Sequence, residues 1–324
     1  MNRSACLIFN PVAGQGNSEL ELEEIRAILQ PEIDLEIYLT TEEVDADELA
    51  HTAVKRGVDA VLASGGDGTI SAVAAALINT EIPLGIIARG TANAFATALG
   101  IPDTIADACR TILQGTTRTV DVGSCNGQPM VLLAGIGFEA ETIEQADREA
   151  KNRLGIIAYL LAGIRELRNL QYFDVEIETQ DKVVKTTAAA VTVANAAPPT
   201  SVLAQGPAGI IVDDGLLDLT IVAPASKAGA IAATFHLFQT ASTGNPAERD
   251  DIGYLRANQF KIHTDPPQKV VLDGEIIGTT PIEIQCIPSG LRVFVPLIEE
   301  NKPTEKLAGL PNLTVEIKNA PESN

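Results

Sequence analysis

The sequence has no tryptophan, only 4 tyrosines and 8 phenylalanines, and 3 histidines among 324 residues. Basic residues are also scarce: 23 Lys and Arg stand against 43 Asp and Glu, which gives a formal net charge of −20. Nucleic acid is therefore excluded as an expected partner, because phosphate backbones are bound by clustered Lys and Arg. The histidines, His51, His236 and His263, lack the spacing of zinc ligands, so no zinc site is expected.

Long apolar runs are absent as well. The densest run, Leu154 to Ile164, is far shorter than the roughly 20 residues that a membrane-spanning helix needs. The first residues contain too short an apolar stretch for a signal peptide. The four cysteines are far apart, form no C-x-x-C pair and are typical of reduced core thiols; they are Cys6, Cys109, Cys125 and Cys286. These features predict a cytoplasmic protein.

Two interpretations of the segment Leu154 to Ile164 remain open. It is flanked by five basic residues: Arg148, Lys151, Arg153, Arg165 and Arg168. The segment is either a core helix whose charged ends reach solvent, or an interfacial segment that brings the protein to an anionic membrane surface.

Strand and helix patterns alternate along the first third of the chain. A continuous apolar run at 5–9 predicts a buried strand, the patterns at 34–39, 58–63 and 83–88 predict three more strands, and helical periodicity over 20–29, 44–54 and 70–78 predicts the helices between them. This βαβαβαβ order predicts an α/β domain with a parallel sheet over residues 1–120. Ligands of such sheets bind at loops that follow the carboxyl ends of the strands.

Short β-rich runs dominate after about residue 116. They lie at 118–122, 172–178, 188–193, 216–222, 260–263, 269–272, 282–287 and 291–295, with helical patterns near 141–169 and 226–240. We predict a second, β-rich domain of the β-sandwich type over residues 121–296. Residues 297–324 form a polar tail that is either loosely docked or returns to the first domain.

The clearest local motif is SGGDGTI at residues 64–70, between a predicted strand and a predicted helix. Three glycines allow a ligand to approach the backbone, and the helix that follows offers free N–H groups and the positive end of its dipole. A phosphate chain is the ligand that such a turn favours. The alternative is an ordinary glycine-rich turn in which Asp67 caps the helix.

Standard nucleotide fingerprints are missing. No G-x-x-x-x-G-K-[ST] occurs, and the first βα turn continues to Glu19 where a dinucleotide fold would require glycine. However, the first, third and fourth βα turns all carry glycine and polar residues, at 10–17, 64–69 and 89–93. Three such turns at one sheet edge predict a single extended phosphate site.

Five motifs in order carry a family resemblance. They are NPVAG at 10–14, GGDGT at 65–69, PLGIIARGTANAFA at 83–96, DDGLLD at 213–218 and LDGE at 272–275. The ordered set resembles the diacylglycerol kinase catalytic superfamily, in particular its small bacterial lipid kinases, over roughly residues 4 to 296. GGDGT alone is shared with NAD kinases and phosphofructokinases. The resemblance implies an ATP-dependent kinase that phosphorylates a lipid hydroxyl, with diacylglycerol or a related lipid as acceptor.

The resemblance also implies which residues contact ATP. They are Asn10, Pro11, Val12, Ala13, Gly14, Thr40, Gly65, Gly66, Asp67, Gly68, Thr69, Ile70, Ser71, Ala72, Thr91 and Asn93. Glu275 matches the family's proton acceptor for the substrate hydroxyl, although its position after Asp273-Gly274 is also that of an exposed residue behind a hairpin turn. Asp67 matches a position that helps to hold the catalytic Mg²⁺ near the phosphates.

A structural Mg²⁺ site is implied by the DDG segment. The side chain of Asp214 and the carbonyl oxygens of Ile211 and Leu216 match its ligands, and Asp121 joins the acidic network through water. Hard cations favour such oxygen donors. An ordinary β-turn at Asp214-Gly215 is the alternative.

Two departures from the family pattern leave rival functions open. Many relatives have Asp where this chain has Ala94, and the usual glycine-rich stretch of the second domain is replaced by AAPPTSVLAQ at 196–205. The rivals are an NAD kinase-like phosphotransferase and a nucleotide-binding regulator that has lost catalysis. The expected partners are ATP, a lipid and a membrane surface, and a homodimer is one of the assembly states left open.

Overall fold

The computed structural model describes residues 3–114, 116–137, 171–198, 201, 209–226, 229, 232–233, 236–237, 239–240, 243, 245–296, 309 and 311–317. These residues form two compact units. One contains the chain up to Val122 and residues 287–296; the other contains the described residues from Gly123 to Cys286 with residues 309 and 311–317.

The first unit alternates strands and helices. Its elements are β1 (Arg3–Phe9), α1 (Ser18–Leu29), β2 (Ile33–Leu39), α2 (Ala46–Arg56), β3 (Ala60–Gly65), α3 (Asp67–Leu77), β4 (Leu84–Ala88), α4 (Ala94–Ala98) and α5 (Ile105–Gln114). All residues of β3 and β4 are buried, as is typical of parallel strands covered on both faces. Helix α2 ends at Gly57, whose φ of 70° is the left-handed conformation that glycine adopts without strain.

The order of the parallel strands creates a switch point. Neighbouring strands follow the order β4-β3-β1-β2. The chain therefore leaves β1 toward β2 on one side and returns to β3 on the other. Crevices at the carboxyl ends of strands on either side of such a point are the usual ligand sites of open α/β sheets.

The second unit is built from antiparallel sheets. Its strands are β6 (Gln128–Met130), β7 (Leu133–Gly137), β8 (Phe173–Glu178), β9 (Lys182–Ala188), β10 (Ala190–Ala194), β11 (Leu217–Val222), β12 (Ile252–Ala257), β13 (Gln259–Asp265), β14 (Lys269–Leu272), β15 (Glu275–Thr279) and β17 (Thr314–Ile317). Strand β5 (Thr117–Cys125) enters this unit from the first, and β16 (Ile282–Phe294) runs from this unit back into the first.

Two sheets share the core of the second unit. One has the order β12-β11-β10-β7-β14-β15, and the other contains β17-β9-β8-β13 and the beginning of β16. One buried cluster joins side chains of both sheets, including Phe173 and Ile177 of β8 with Val191 and Val193 of β10. Inward-facing residues of two sheets that share one core define a β-sandwich. The predicted fold class, a parallel α/β domain followed by a β-sandwich, is confirmed.

Several details differ from the sequence predictions. Helices α4 and α5 were not predicted. Residues 282–287 and 291–295 belong to one strand, β16. Its last part pairs parallel to β4 at Val293 and Leu84, which groups residues 287–296 with the first unit. Of the tail, the structure describes residues 309 and 311–317: β17 pairs antiparallel with β9 of the second unit, and Leu313 packs against the core of that unit.

Other predictions fall on residues outside the described part. These are the helix near 141–169, the segment 154–164 with its basic flanks, much of 196–205 and parts of 226–240. Within the described residues, no helix combines the length and the apolar character that crossing a membrane requires.

Candidate active site

Strands β1, β3 and β4 end at the same level of the sheet because their last residues are register partners. Phe9 pairs with Ser64, and Gly65 pairs with Ala88. The N–H of Asn10 donates to the carbonyl of Ser64 at 2.8 Å, which joins the first turn to the third. The three glycine-bearing turns predicted from the sequence therefore lie together at one edge of the sheet.

All predicted nucleotide-site residues lie in these turns or beside them. Residues 10–14 follow β1, residues 65–72 run from the end of β3 into α3, and Thr91 and Asn93 lie between β4 and α4. Thr40 follows β2, and its N–H donates to the carbonyl of Phe9 at 3.0 Å. Thr40 therefore shares the edge, as the resemblance implies.

The N-terminus of α3 is free of side-chain capping. Its N-cap residue is Gly66, which has no side chain to accept from the first N–H groups of the helix. By contrast, Asn17 caps α1 by accepting from the N–H groups of Glu19 at 3.0 Å and Leu20 at 3.2 Å. Free N–H groups and the helix dipole make an uncapped N-terminus a favourable position for a phosphate. Of the two helices, α3 therefore fits an anion and α1 does not.

Close packing explains the glycines of these turns. A Cβ atom on Gly65 would lie 2.6 Å from the side chain of Thr69, and one on Gly90 would lie 2.8 Å from the Cα of Gly66. Larger residues would push the turns apart. A Cβ atom on Gly68, at the start of α3, would meet nothing within 4 Å, so this backbone is open to a ligand.

Two hydroxyl groups near α3 are buried without a partner in the described part of the chain. Ser64 Oγ and Ser71 Oγ are buried and have no hydrogen-bond partner among the described residues. Buried hydroxyls normally find a partner, because an unpaired buried polar group costs about 1–3 kcal/mol.

Side chains connect the three turns. Asn10 Nδ2 donates to Thr69 Oγ1 at 2.9 Å, which links the first turn to α3. The Asp67 carboxylate accepts from the N–H groups of Asn93 at 2.9 Å and Ala94 at 2.6 Å, which links α3 to the start of α4. The backbone of the turns is thus held before any ligand binds. Asp67, predicted as a metal-binding residue, also has this structural function.

In the second unit, Glu275 follows a tightly anchored turn. Asp273 and Gly274 have φ values of 47° and 96°, the conformation of a two-residue hairpin turn. The Asp273 carboxylate accepts from three consecutive N–H groups, those of Val131 at 2.7 Å and of Leu132 and Leu133 at 2.9 Å. Glu275 begins β15 and is exposed. A rigid turn therefore carries an accessible carboxylate.

The DDG segment contributes to an acidic cluster. Arg256 forms ion pairs with both Asp214 and Asp218, the latter at 2.9 Å from its Nε atom. Asp218 is 2% exposed, and burial raises its pKa to about 7 although the nearby Arg256 guanidinium lowers it. Its Oδ2 atom has no hydrogen-bond partner among the described residues.

The DDG segment is also the predicted position of a second Mg²⁺, although among the described residues no group of three or more acidic, His or Cys side chains is arranged to hold a metal ion. Asp214 and Asp218 share the single positive charge of Arg256, and Asp218 Oδ2 has no hydrogen-bond partner among the described residues. Oxygen donors of this kind suit Mg²⁺. Asp214 Oδ1 already accepts from the N–H of Leu216 at 3.1 Å, and Ile211 lies in the same segment before β11. Asp121 is buried in β5 and accepts from the N–H of Ser289 at 2.7 Å.

Sequence reasoning missed several residues that organise these sites. Arg89 was predicted only as part of a polar turn, and Glu21 was not predicted at all, yet the two form an ion pair in which Arg89 is buried and Glu21 is partly exposed. Arg256 and the anchoring role of Asp273 were also missed. A lone arginine directly after a fully buried strand was the only available signal, since the partners lie far apart in the chain.

Comparisons with known proteins identify the family. A profile of the diacylglycerol kinase catalytic domain matches residues 4–125, and a profile of the YegS C-terminal NAD kinase beta sandwich-like domain matches residues 133–295. The diacylglycerol kinase of Bacillus subtilis is 31% identical over 91% of this chain and 97% of its own length. A YegS-like lipid kinase of Xanthomonas oryzae is 33% identical over 90% of this chain and 95% of its own.

Two further comparisons also match most of this chain. An uncharacterized protein of Synechocystis, sll0036, is 50% identical over 90% of this chain and 70% of its own length. The crystal structure of a diacylglycerol kinase from Bacillus anthracis has a TM-score of 0.72 at 25% identity and covers 91% of this chain and 97% of its own. The chain belongs to the diacylglycerol kinase catalytic family of lipid kinases, which transfer a phosphoryl group to an alcohol.

Proposed function

We propose that this chain transfers the γ-phosphate of ATP to a hydroxyl group of a lipid, either diacylglycerol or a related lipid. The observation that carries the proposal is the uncapped N-terminus of α3, which lies beside two further glycine-bearing turns at the switch point of the parallel sheet. In this proposal, residues 1–120 bind the nucleotide and residues 121–296 bind the acceptor.

The phosphate chain of ATP would lie across the three turns. The N–H groups at the start of α3 would donate to phosphate oxygens, with Ser71 and Ala72 in the first turns of the same helix. Thr40, Thr91 and the turn 10–14 would complete the site. Because hydrogen bonds already hold the turns together, binding costs little reorganisation, and phosphoryl transfer depends mostly on such positioning and on neutralisation of charge.

Glu275 would act as the general base. An alcohol is a weak nucleophile, and a positioned carboxylate that accepts its proton contributes about 10²- to 10⁴-fold to the rate. The support for this role is the anchored turn of Asp273 and Gly274, which fixes the start of β15, together with the exposure of Glu275.

Magnesium would bind in two places. Mg²⁺ supplies neutralisation of the charge on the β- and γ-phosphates, and Asp67 would help to hold it there. A carboxylate has about four acceptor positions, and Asp67 uses two of them for Asn93 and Ala94. The second ion would lie at Asp214 with the carbonyl oxygens of Ile211 and Leu216, and Asp121 would join through water.

The acceptor requires access to a lipid surface. We infer a cytoplasmic protein that contacts the membrane transiently at its periphery. A homodimer is an assembly state that size measurement in solution would reveal.

One screen tests the proposed function. Purified protein is incubated with Mg²⁺, radiolabelled ATP and, separately, diacylglycerol, phosphatidylglycerol, sphingosine, ceramide and NAD. Label in a lipid supports the proposal and names the acceptor class. Label only in NAD would identify an NAD kinase-like enzyme, and ATP binding without transfer to any acceptor would identify a regulator.

A further inference from the structure

Arg89 is a buried charge directly beneath the first glycine-bearing turn. It follows the last residue of β4, and its side chain is 2% exposed. Its guanidinium lies over the ring of Phe9, with Cζ 4.1 Å from the ring centroid. Phe9 is the last residue of β1, so Arg89 spans from the end of one strand to the end of another.

The side chain of Arg89 bonds the backbone of the first turn. Nη1 donates to the carbonyl oxygen of Asn10 at 3.0 Å, and Nη2 donates to the carbonyl oxygen of Ala13 at 2.9 Å. These carbonyls lie at the two ends of the turn. Because both oxygens are bound to a buried guanidinium, they are unavailable to face and repel an anion.

The main chain of Arg89 contacts the other turns. Its N–H donates to the carbonyl of Gly65 at 2.8 Å, and Gly90 follows it in the chain. A Cβ atom on Gly14 would lie 3.2 Å from the carbonyl oxygen of Arg89. Arg89, itself the first residue of the turn after β4, therefore contacts both other turns of the proposed phosphate site.

Glu21 compensates the charge of Arg89. Its Oε2 atom accepts from Arg89 Nε at 2.7 Å and lies 2.5 Å from Nη2. A buried guanidinium without a counter-charge would be strongly destabilising. The planar fork of five N–H donors also lets arginine hold a carboxylate and two carbonyls at once, which lysine cannot do.

We propose that Arg89 is a positioning residue that sets the conformation of the first phosphate-binding turn, and that Glu21 holds Arg89 in place. This inference rests on the proposed function, because it concerns the binding of ATP at the same turns. Arg89 acts through the backbone of residues 10–13 and does not itself donate to the phosphates.

The test compares Arg89→Met, Arg89→Lys and Glu21→Gln with wild type. Each protein is measured for melting temperature, for the Kd of Mg-ATP by calorimetry, and for kcat and the KM of both substrates. Arg56→Met is the matched control, because Arg56 is another arginine of the first unit that is ion-paired with a glutamate, Glu36, away from the turns.

Arg89→Met should raise the KM and Kd for ATP about tenfold, which corresponds to 1.4 kcal/mol, with kcat and the KM for lipid changed less than threefold. Arg89→Lys should have a KM and a Kd for ATP between those of Arg89→Met and wild type. The control should leave the KM for ATP unchanged. A KM for ATP within twofold of wild type, combined with a lower melting temperature, would reduce Arg89 to a purely structural residue and overturn the proposal.

Glu21→Gln separates positioning from direct charge attraction, and it also serves if Arg89→Met does not fold. If Arg89 holds the turn, loss of the ion pair should raise the Kd for ATP about two- to fivefold. If the guanidinium instead attracts the phosphates directly, removal of its counter-charge should tighten binding, which would overturn the proposal. Wild-type protein that does not bind ATP would overturn the proposed function itself, and this inference with it.

Discussion

Asp67 caps the backbone of Asn93, 26 positions along the chain: the Asn93 N–H donates to Asp67 Oδ2 at 2.9 Å. Asn93 has a φ of 49°, and its own Oδ1 accepts from the N–H of Gly90 at 2.7 Å. Left-handed backbone is tolerated by asparagine better than by most residues. The pair therefore fixes the turn between β4 and α4 and ties it to the start of α3.

Asp67→Asn tests both functions of this carboxylate. We expect kcat/KM to fall at least tenfold, a loss of about 1.4 kcal/mol, because the amide can no longer support a cation. The melting temperature should also fall, since hydrogen bonds to a charged acceptor contribute about 1.5–3 kcal/mol. Steady-state kinetics and thermal unfolding measure the two effects.

Asp59→Asn is the matched control for this variant. Asp59 also accepts from a backbone N–H, that of Ser4 at 2.8 Å, but it lies outside the three turns. The Asp59→Asn variant should melt at a lower temperature than wild type and should keep the wild-type kcat/KM. If Asp67→Asn retains more than a tenth of wild-type kcat/KM, Asp67 only caps α4 and has no part in the chemistry.

Glu275→Gln tests the general base. The amide preserves the volume of the side chain and cannot accept the proton, so kcat should fall about 10²-fold or more. The Kd for ATP should not change, because no nucleotide contact is proposed for Glu275. Single-turnover kinetics and calorimetry measure these quantities.

Glu176→Gln removes another exposed carboxylate of the second unit and should have wild-type activity. Should Glu275→Gln stay within tenfold of wild-type kcat, Glu275 would be an ordinary residue behind a hairpin turn.

The cysteines allow a prediction about the native fold that does not depend on function. Burial raises the pKa of Cys6 and of Cys109 to about 12 and that of Cys125 to about 11, so these thiols stay protonated and shielded near neutral pH. Only the thiolate reacts with disulfide reagents. Cys286 is partly exposed.

In native protein, only Cys286 should therefore react rapidly with a chromogenic disulfide reagent, which releases one equivalent of the coloured thiol. Denatured protein should release four equivalents, one for each cysteine. Cys286→Ser should remove the rapid phase. Rapid reaction of a second thiol in the native protein would contradict the burial of β1, α5 or β5.

The sequence predicted the first unit well because its signals are local. Strand patterns locate β1 to β4, and glycine-bearing turns follow β1, β3 and β4, where we propose the phosphate site. Thr40 needed the family resemblance, because its relation to Phe9 arises only when β2 pairs with β1.

Long-range hydrogen bonds explain what the sequence could not predict. Separate β-rich runs at 282–287 and 291–295 were predicted from the sequence, but the structure continues β16 through residues 288–290. Ser289 has a φ of 53°, and its N–H donates to Asp121, while the Gly290 carbonyl accepts from Asn79. Ser289 and Asp121 lie 168 positions apart in the sequence, and Arg292 and Glu81 lie 211 positions apart. No local sequence pattern reveals such pairs.

The last prediction concerns the cation that we propose for the DDG segment. Asp214 and Asp218 carry more negative charge than Arg256 compensates, and an ion bound there would stabilise the native state by mass action. Wild-type protein should therefore melt at a higher temperature in Mg²⁺ than in a chelator, and Asp214→Ala should lose most of that difference. Asp181→Ala, which changes an exposed aspartate of the same unit, should keep it. Equal dependence of melting temperature on Mg²⁺ in wild type and Asp214→Ala would mean that Arg256 alone balances this turn and that no cation binds at Asp214.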